Sequence, residues 1–302
     1  MGWALGTNDA ANVFGTAVAS QIVRYRTAVI LAAIFIILGS VVQGTGGIRT
    51  LSGLTEQTET SALVVALAAA LTVLSMTRLK LPVSTSQAVV GAIIGMGLSQ
   101  PGQQVEWGLL GKVVACWVGT PIGAALMAFL LYPVLAWCLD MLHLNIVSRS
   151  RLLRAALIVA GCYGAYALGG NSAANVTGVF YGAELFGGNI RLLALIGGAS
   201  IASGVLTYSR EVMLTVGSRL VPLDAFSALV AVAAQAITVH VYAFIGVPVS
   251  TSQAIVGGVL GIGLFKGIRL INSRVLFRIL WGWLATPSLA GLMTFLVGKL
   301  LL

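Results

Sequence analysis

Charge is what this chain has least of. Only 8% of its 302 residues are charged, against 58% hydrophobic, and so few charges cannot cover a soluble surface of this size. Cysteine is scarce too. Cys116, Cys138 and Cys162 sit in apolar stretches without metal-ligand spacing and read as packing residues. With two histidines and eight acidic residues, no nucleophile–base pair or metal set recurs, so an enzyme is the weakest functional class. Strand alternation of the barrel kind is missing, and Ala, Leu and Gly dominate, which leaves a helical bundle. The first residues lack the basic region and cleavage pattern of a secretory signal.

What is present is long apolar runs. Residues 27–47, 61–77, 225–245 and 276–302 each reach the roughly 20 residues that a helix needs to cross hydrocarbon. The chain is predicted to be an all-α polytopic protein of the cell membrane, in contact with lipid. Its net charge of +9 is unevenly placed. Letting each apolar segment cross once puts 13 of the 17 basic residues on one face: Arg24, Arg26, Arg78, Lys80, Arg149, Arg151, Arg154, Arg210, Arg219, Lys266, Arg269, Arg274 and Arg278. Arg49, Arg191 and Lys299 fall on the other, and Lys112 lies just inside a segment. That asymmetry marks the rich face as cytoplasmic. No clustered basic patch interleaved with aromatics is visible, so nucleic acid is not an expected partner.

The chain is also written twice. GTNDAANVFGT from Gly6 returns as GGNSAANVTGV from Gly169, and LPVSTSQAVVGAIIGMGL from Leu81 returns as VPVSTSQAIVGGVLGIGL from Val247. Trp117–Pro121 echoes as Trp283–Pro287, and the offsets are 163, 166 and 166 residues. This predicts a first repeat over 1–139, a polar cytoplasmic linker over 140–151 containing His143, and a second repeat over 152–302. The first motif enters from outside and the second from inside, so the repeats are expected to be inverted about an axis in the membrane plane. Residues 108–139 are too long for one straight span, and Pro121 is expected to kink or split them. The second motif follows an apolar run, 155–168, where the first has only Met1–Leu5; the sequence leaves open whether the first helix is shortened.

Gly6-Thr7-Asn8-Asp9 is expected to unwind its helix, because Gly is a poor helix former and Asn and Asp compete for backbone groups. Asp9 is the sole acidic residue in the apolar part of the first half, and a carboxylate at that depth is a functional candidate by default. It can bind a cation, carry a proton or accept from a protonated substrate oxygen. Pro82 and Pro248 break the incoming helices. The residues that follow, Ser84-Thr85-Ser86-Gln87 and Ser250-Thr251-Ser252-Gln253, open new helices whose free N–H groups and positive dipole ends make an anion cradle without formal charge. His240 reads as a packing or water-facing residue, and Lys112 and Arg278 as snorkelling or anion-steering residues.

These paired motifs resemble the inorganic phosphate transporter family of secondary symporters, over nearly the whole chain from Gly6 to about Pro287. The resemblance implies an inverted-repeat fold with broken helices and Ser/Thr-rich helix starts meeting near the midplane. It also implies a homodimer moving inorganic phosphate with Na+ or H+ and using no other cofactor. Carried over by motif, Thr7, Asn8, Asp9, Asn12, Asn171, Ser172 and Asn175 join the two serine-rich quartets in the substrate site, with Asp9, Asn8 and Asn171 expected at a coupling cation. One departure stands out: the family repeats the aspartate in its second motif, where this chain has Ser172. Phosphate at neutral pH carries a proton that a carboxylate can accept, whereas sulfate carries none. Sulfate is therefore the alternative substrate, and an anion channel the less favoured alternative mechanism.

Overall fold

The computed structural model describes residues 1–78, 83–210, 213, 223–267 and 273–301. Ten α-helices lie among them: α1 Gly2–Ala19, α2 Tyr25–Ser52, α3 Glu59–Arg78, α4 Thr85–Ser99, α5 Trp107–Met141, α6 Ile146–Gly182, α7 Ile190–Tyr208, α8 Ala225–Ile245, α9 Thr251–Lys266 and α10 Ser273–Leu301. Seven of the helices are long and apolar enough to cross a membrane. This is a multi-pass helical membrane protein. Pro82, Lys80, Arg219 and Arg269 lie outside the described residues, and so does the Arg278 side chain.

Two expectations about helix continuity are corrected. The helices bearing the Asn-rich motifs do not unwind: α1 runs unbroken through Gly6–Asn12 and α6 through Gly169–Asn175. In each, the glycine lies directly against another helix's backbone, Gly6 on the Ile201 carbonyl and Gly169 on the Ile36 carbonyl. Away from water, a closed backbone hydrogen bond outweighs the weak propensities that favour unwinding. Nor is residue stretch 108–139 split, since α5 is one helix of 35 residues with Pro121 and Pro133 inside it. The Thr120 hydroxyl donates to the Cys116 carbonyl at 2.7 Å, and the Pro121 carbonyl packs on Gly257 of α9. Tertiary contact thus holds the helix through its proline. The polar stretch 140–151 divides between the end of α5, a short turn and the first turns of α6.

Contacts between the halves come in reciprocal pairs. Gly91 of α4 meets Pro287 of α10, and Gly257 of α9 meets Pro121 of α5; Gly95 meets Gly291, and Gly261 meets Ala125. Gly39 meets Tyr166, as Gly204 meets Trp3. Such pairing is what a two-fold relation between repeats produces. The helices that occupy equivalent places, α2 and α7, run antiparallel: Gly198 packs on Ile37 and Ser40, and Gly44 on Ala194. Close backbone approach through small residues is the usual basis of helix association in lipid, where hydrophobic burial gives no preference for protein over tails.

Two helical hairpins, α3–α4 and α8–α9, enter from opposite ends of α2. The first is anchored where Leu54 accepts from the Glu106 N–H and Thr55 packs on Gly97. The second has its base among Leu223, Ala228, Val23 and Ala28, near the start of α2. Their bases differ in chemistry. Asp224 caps α8 by accepting from the Ser227 N–H at 2.9 Å, and it pairs with Lys266, the last residue of α9, at 2.7 Å. The Lys266 ammonium also sits 5.5 Å from the centre of the Tyr132 ring. At the other base the counterparts are neutral: Thr58 and Ser61 exchange backbone-to-hydroxyl bonds, and Ser61 donates to Gln57.

Two predictions follow from this packing. Gly169→Ala forces a methyl group into the Ile36 carbonyl and lowers stability by about 1–3 kcal/mol, read as a lower midpoint in detergent thermal unfolding. Gly111→Ala, where a Cβ meets nothing within 4 Å, leaves that midpoint unchanged or raised. The second concerns Asp224. Burial pushes its carboxyl up, but the hydrogen bonds from Lys266 and Ser227 and the Lys266 charge prevail and hold it at about 2, below the ordinary 3.8. A depressed carboxylate stabilises the fold above its unfolded value and loses that contribution as pH falls through the folded one. The midpoint gap between wild type and Asp224→Asn is therefore constant near neutrality and closes as pH drops from 3.8 towards 2.

Candidate functional site

The site is assembled where the two hairpin tips meet the middles of α1 and α6. At each tip the backbone is extended just before the helix, with Ser84 at φ −112° and Ser250 at φ −86°. Each serine caps its helix, Ser84 Oγ accepting from the Gln87 N–H at 3.4 Å and Ser250 Oγ from the Gln253 N–H at 3.3 Å. The tips are joined directly, because Ser86 Oγ donates to the Val249 carbonyl at 2.8 Å. Two oppositely directed helix starts therefore converge in one buried region, each presenting first-turn N–H groups.

α1 and α6 close that region with matching residues. Asn175 of α6 donates to Ser86 Oγ at 2.8 Å; its counterpart, Asn12 of α1, donates to Ser252 Oγ at 3.2 Å and to Thr251 Oγ1 at 3.3 Å. Asn8 donates to Asp9 Oδ1 at 3.1 Å, as Asn171 donates to Ser172 Oγ at 3.4 Å. The symmetry then breaks. Asn171 grips the Val249 peptide with both ends of its amide, donating to the carbonyl and accepting from the N–H, each at 2.8 Å. Asp9, 1% exposed, accepts from the Thr85 hydroxyl at 3.1 Å, while Ser172, equally buried, offers only a neutral hydroxyl.

This geometry divides the sequence-nominated residues by what their polar atoms already do. Ser84 and Ser250 cap their own helices, Ser86 joins the two tips, and Asn171 ties α6 to the second tip. Thr7 turns its hydroxyl back to the Ala4 carbonyl at 2.8 Å, beside Gly204 of α7, and faces packing rather than the tips. Asn8 and Thr85 donate to Asp9, as does the Thr251 hydroxyl, and Asn12 joins Thr251 to Ser252, whose hydroxyl proton remains available to a ligand oxygen. The Oε1 atoms of Gln87 and Gln253 and Oδ1 of Asn175 are buried with no protein partner. Buried polar atoms are nearly always satisfied by something, so these three are positioned to meet a ligand or ordered solvent.

The sequence reading passed over three further groups. Gln235 of α8 is fully buried, with neither amide atom bonded to protein, and it lies beside Gly164 of α6. Thr16 of α1, one turn beyond Asn12, also has an unpartnered hydroxyl, as has the Gln43 amide oxygen of α2. The available signal was a lone amide inside an apolar run; Gln235 is unduplicated, its counterpart being Ala69. His240 stacks edgewise on Tyr163 and Tyr166 and its Nδ1 is 2.6 Å from the Tyr163 hydroxyl, which accords with packing. Lys112 is exposed, away from the tips.

Comparison with known proteins points one way. The model of the phosphate transporter family matches residues 5–294. A protein of Methanocaldococcus jannaschii with a provisional phosphate-permease name is 29% identical over 297 residues, covering 98% of this chain and 93% of that one. The sulfate permease of Bacillus subtilis is 28% identical over 304 residues, covering 99% of this chain and 84% of its own length. A solved structure titled as the sodium-dependent phosphate transporter superposes with a TM-score of 0.84 at 23% identity, covering 100% of this chain and 97% of that one; at that identity the likeness speaks for the fold.

The Asn171 clasp yields a stability prediction. Asn171→Ala leaves the Val249 N–H buried and unbonded, at about 1–3 kcal/mol, and its carbonyl with the Ser86 hydroxyl alone. The thermal midpoint in detergent should fall by several degrees. Asn8→Ala, at a half-buried residue whose single side-chain bond is to its neighbour, should shift it less. Equal shifts would mean that the clasp does not hold the tip.

Proposed function

The chain belongs to the phosphate transporter family, and from that premise we propose that it is a secondary transporter taking up a tetrahedral inorganic oxyanion, phosphate first, together with Na+ or H+. The observation that carries this reading is the meeting of two mirrored helix starts beside the lone Asp9 carboxylate. First-turn N–H groups and the Ser252 hydroxyl suit the oxygens of an anion. Asp9 suits the proton that phosphate retains at neutral pH, or the coupling cation. A carboxylate enclosed this deeply is costly to keep charged and alone, so its occupancy by a cation or proton is a natural means of coupling. The Asn8 oxygen, next to Asp9 in the chain, is available to that cation, whereas the Asn171 oxygen already accepts from the Val249 N–H.

The same geometry supports alternating access as the mechanism. We infer that the two-fold relation between repeats has its axis in the membrane plane, with residues 1–139 and 152–302 as the repeats joined through 140–151. Exchanging the roles of the two hairpins then turns a site open on one face into one open on the other. A pore would use similar helix ends, but the buried carboxylate favours coupled movement over free conductance. The exposed apolar flanks of α5 and α10 suit lipid and a second copy of the chain.

Sulfate is the second reading, and Ser172 supports it. Replacing a buried carboxylate by a hydroxyl removes a charge that would repel a fully ionised anion and adds a donor that could bind it. The sulfate permease among the relatives is 28% identical to this chain, against 29% for the Methanocaldococcus jannaschii protein, and is covered over less of its length, 84% against 93%.

Reconstituted liposomes test these alternatives. Radiolabelled phosphate should accumulate under an inward Na+ or H+ gradient, Asp9→Asn should abolish its dependence on the gradient, and excess sulfate should compete poorly. Sulfate uptake with which phosphate does not compete would replace phosphate as the substrate. Ser172→Asp should raise phosphate preference or Na+ dependence, and no change in either would remove the charge argument.

A further inference from the structure

The basic face of the molecule holds a cavity that the central site does not use. Its volume is about 440 Å³, and it is lined by Arg24, Tyr25, Arg26 and Arg210, at the start of α2 and just past the end of α7. The size is within the range of small-ligand pockets, roughly 300–1,000 Å³. The three arginines are exposed. The two ion pairs among the described residues, Arg149–Asp140 and Lys266–Asp224, use none of them, and no carboxylate among the described residues lines the cavity.

A second feature points into the same place. Arg24 is the N-cap residue of the 28-residue α2, and that helix has no side-chain cap. The contrast with the other repeat is informative: α7, the counterpart of α2, is capped by Asn189, whose side chain accepts from the Leu192 N–H at 3.1 Å. The start of α2 therefore offers first-turn N–H groups and a positive dipole end beside three guanidinium groups. The Tyr25 hydroxyl bonds Ser209 Oγ at 3.3 Å, which ties this helix start to the residue preceding Arg210 and holds the arginines around one space.

We propose that this cavity binds a phosphate group, as a second anion site separate from the central one. The chemistry selects the ligand. Guanidinium forks pair bidentately with phosphate oxygens, and a tetrahedral group with several oxygens can engage more than one arginine and the helix start together. A single carboxylate could satisfy only part of that set. The phosphate has two available sources: inorganic phosphate on its way to or from the central site, or the headgroup of an anionic phospholipid. The first is favoured by α1, which carries Asp9, Asn12 and Thr16 and ends at Ala19, five residues before Arg24. The proposal does not depend on which anion the central site transports.

Arginine labelling separates these cases. Purified protein in phosphatidylcholine nanodiscs is treated with phenylglyoxal, and modification of Arg24, Arg26 and Arg210 is read by mass spectrometry, with exposed Arg149 and Arg191 as references. Added inorganic phosphate, or nanodiscs containing phosphatidic acid, should reduce labelling of the three arginines several-fold without affecting the references. Protection by phosphate alone assigns the site to the free ion, and protection by phosphatidic acid alone assigns it to lipid. No protection in either arm, or equal protection of the references, overturns the proposal and leaves these arginines as orientation signals only. In Arg24→Gln, half-protection of Arg26 and Arg210 should require about tenfold more ligand, from the loss of a charged hydrogen bond. The same protection should persist in Asp9→Asn. Its disappearance there would mean that the central site causes it, which also overturns the proposal, whereas lost uptake with retained protection separates the two sites.

Discussion

An unwound peptide inside hydrocarbon has no water to bond, and the molecule depends on how that need is met at Val249. The Asn171 amide takes both polar groups it can reach there, one as donor and one as acceptor, while Ser86 from the opposite hairpin takes the second lone pair of the same carbonyl. This allows a helix to start in mid-bundle, and it binds α4, α6 and the entry to α9 at one point. With the tip fixed, its first-turn N–H groups are held in place, which is what the proposed anion cradle requires, since their orientation would cost nothing further on binding.

The architecture was largely legible because duplication is visible in letters. Two copies of PVSTSQ and two Asn-rich motifs gave the helix starts, the pairing of halves and the cluster of candidates around Asp9. The error lay in applying propensities measured in water to residues that lie against other helices. Gly6 and Gly169 read as weak points, yet they are contact points, small because a neighbouring carbonyl occupies the space where a side chain would be. Pro121 failed as a breaker for the same reason. What the letters could not reveal was partnership. Nothing in the sequence says that Ser86 joins the tips whereas Ser252 keeps a proton free, or that Gln235 is enclosed without a bonding partner. Those facts depend on which helix faces which.

The two repeats have diverged most where symmetry would otherwise dictate identical chemistry. Asp9 faces Thr85 as a charge, and Ser172 holds the mirrored place as a hydroxyl. The start of α2 carries arginine where the start of α7 carries a capping asparagine. Fold symmetry is preserved by backbone contacts among small residues, which tolerate little change. Polar positions have been left free to specialise, so the duplicated frame carries an unduplicated site.

The unequal hairpin bases extend that specialisation to mechanics. One hinge is fastened by an ammonium and a carboxylate, the other by neutral hydroxyls and amides. Mobile ions in the surrounding solution weaken an exposed ion pair but leave neutral bonds almost untouched. Ionic strength at that base therefore tunes the fastening of one hairpin and leaves the other unchanged, so under the proposed alternating access the two halves of the cycle would meet different resistances.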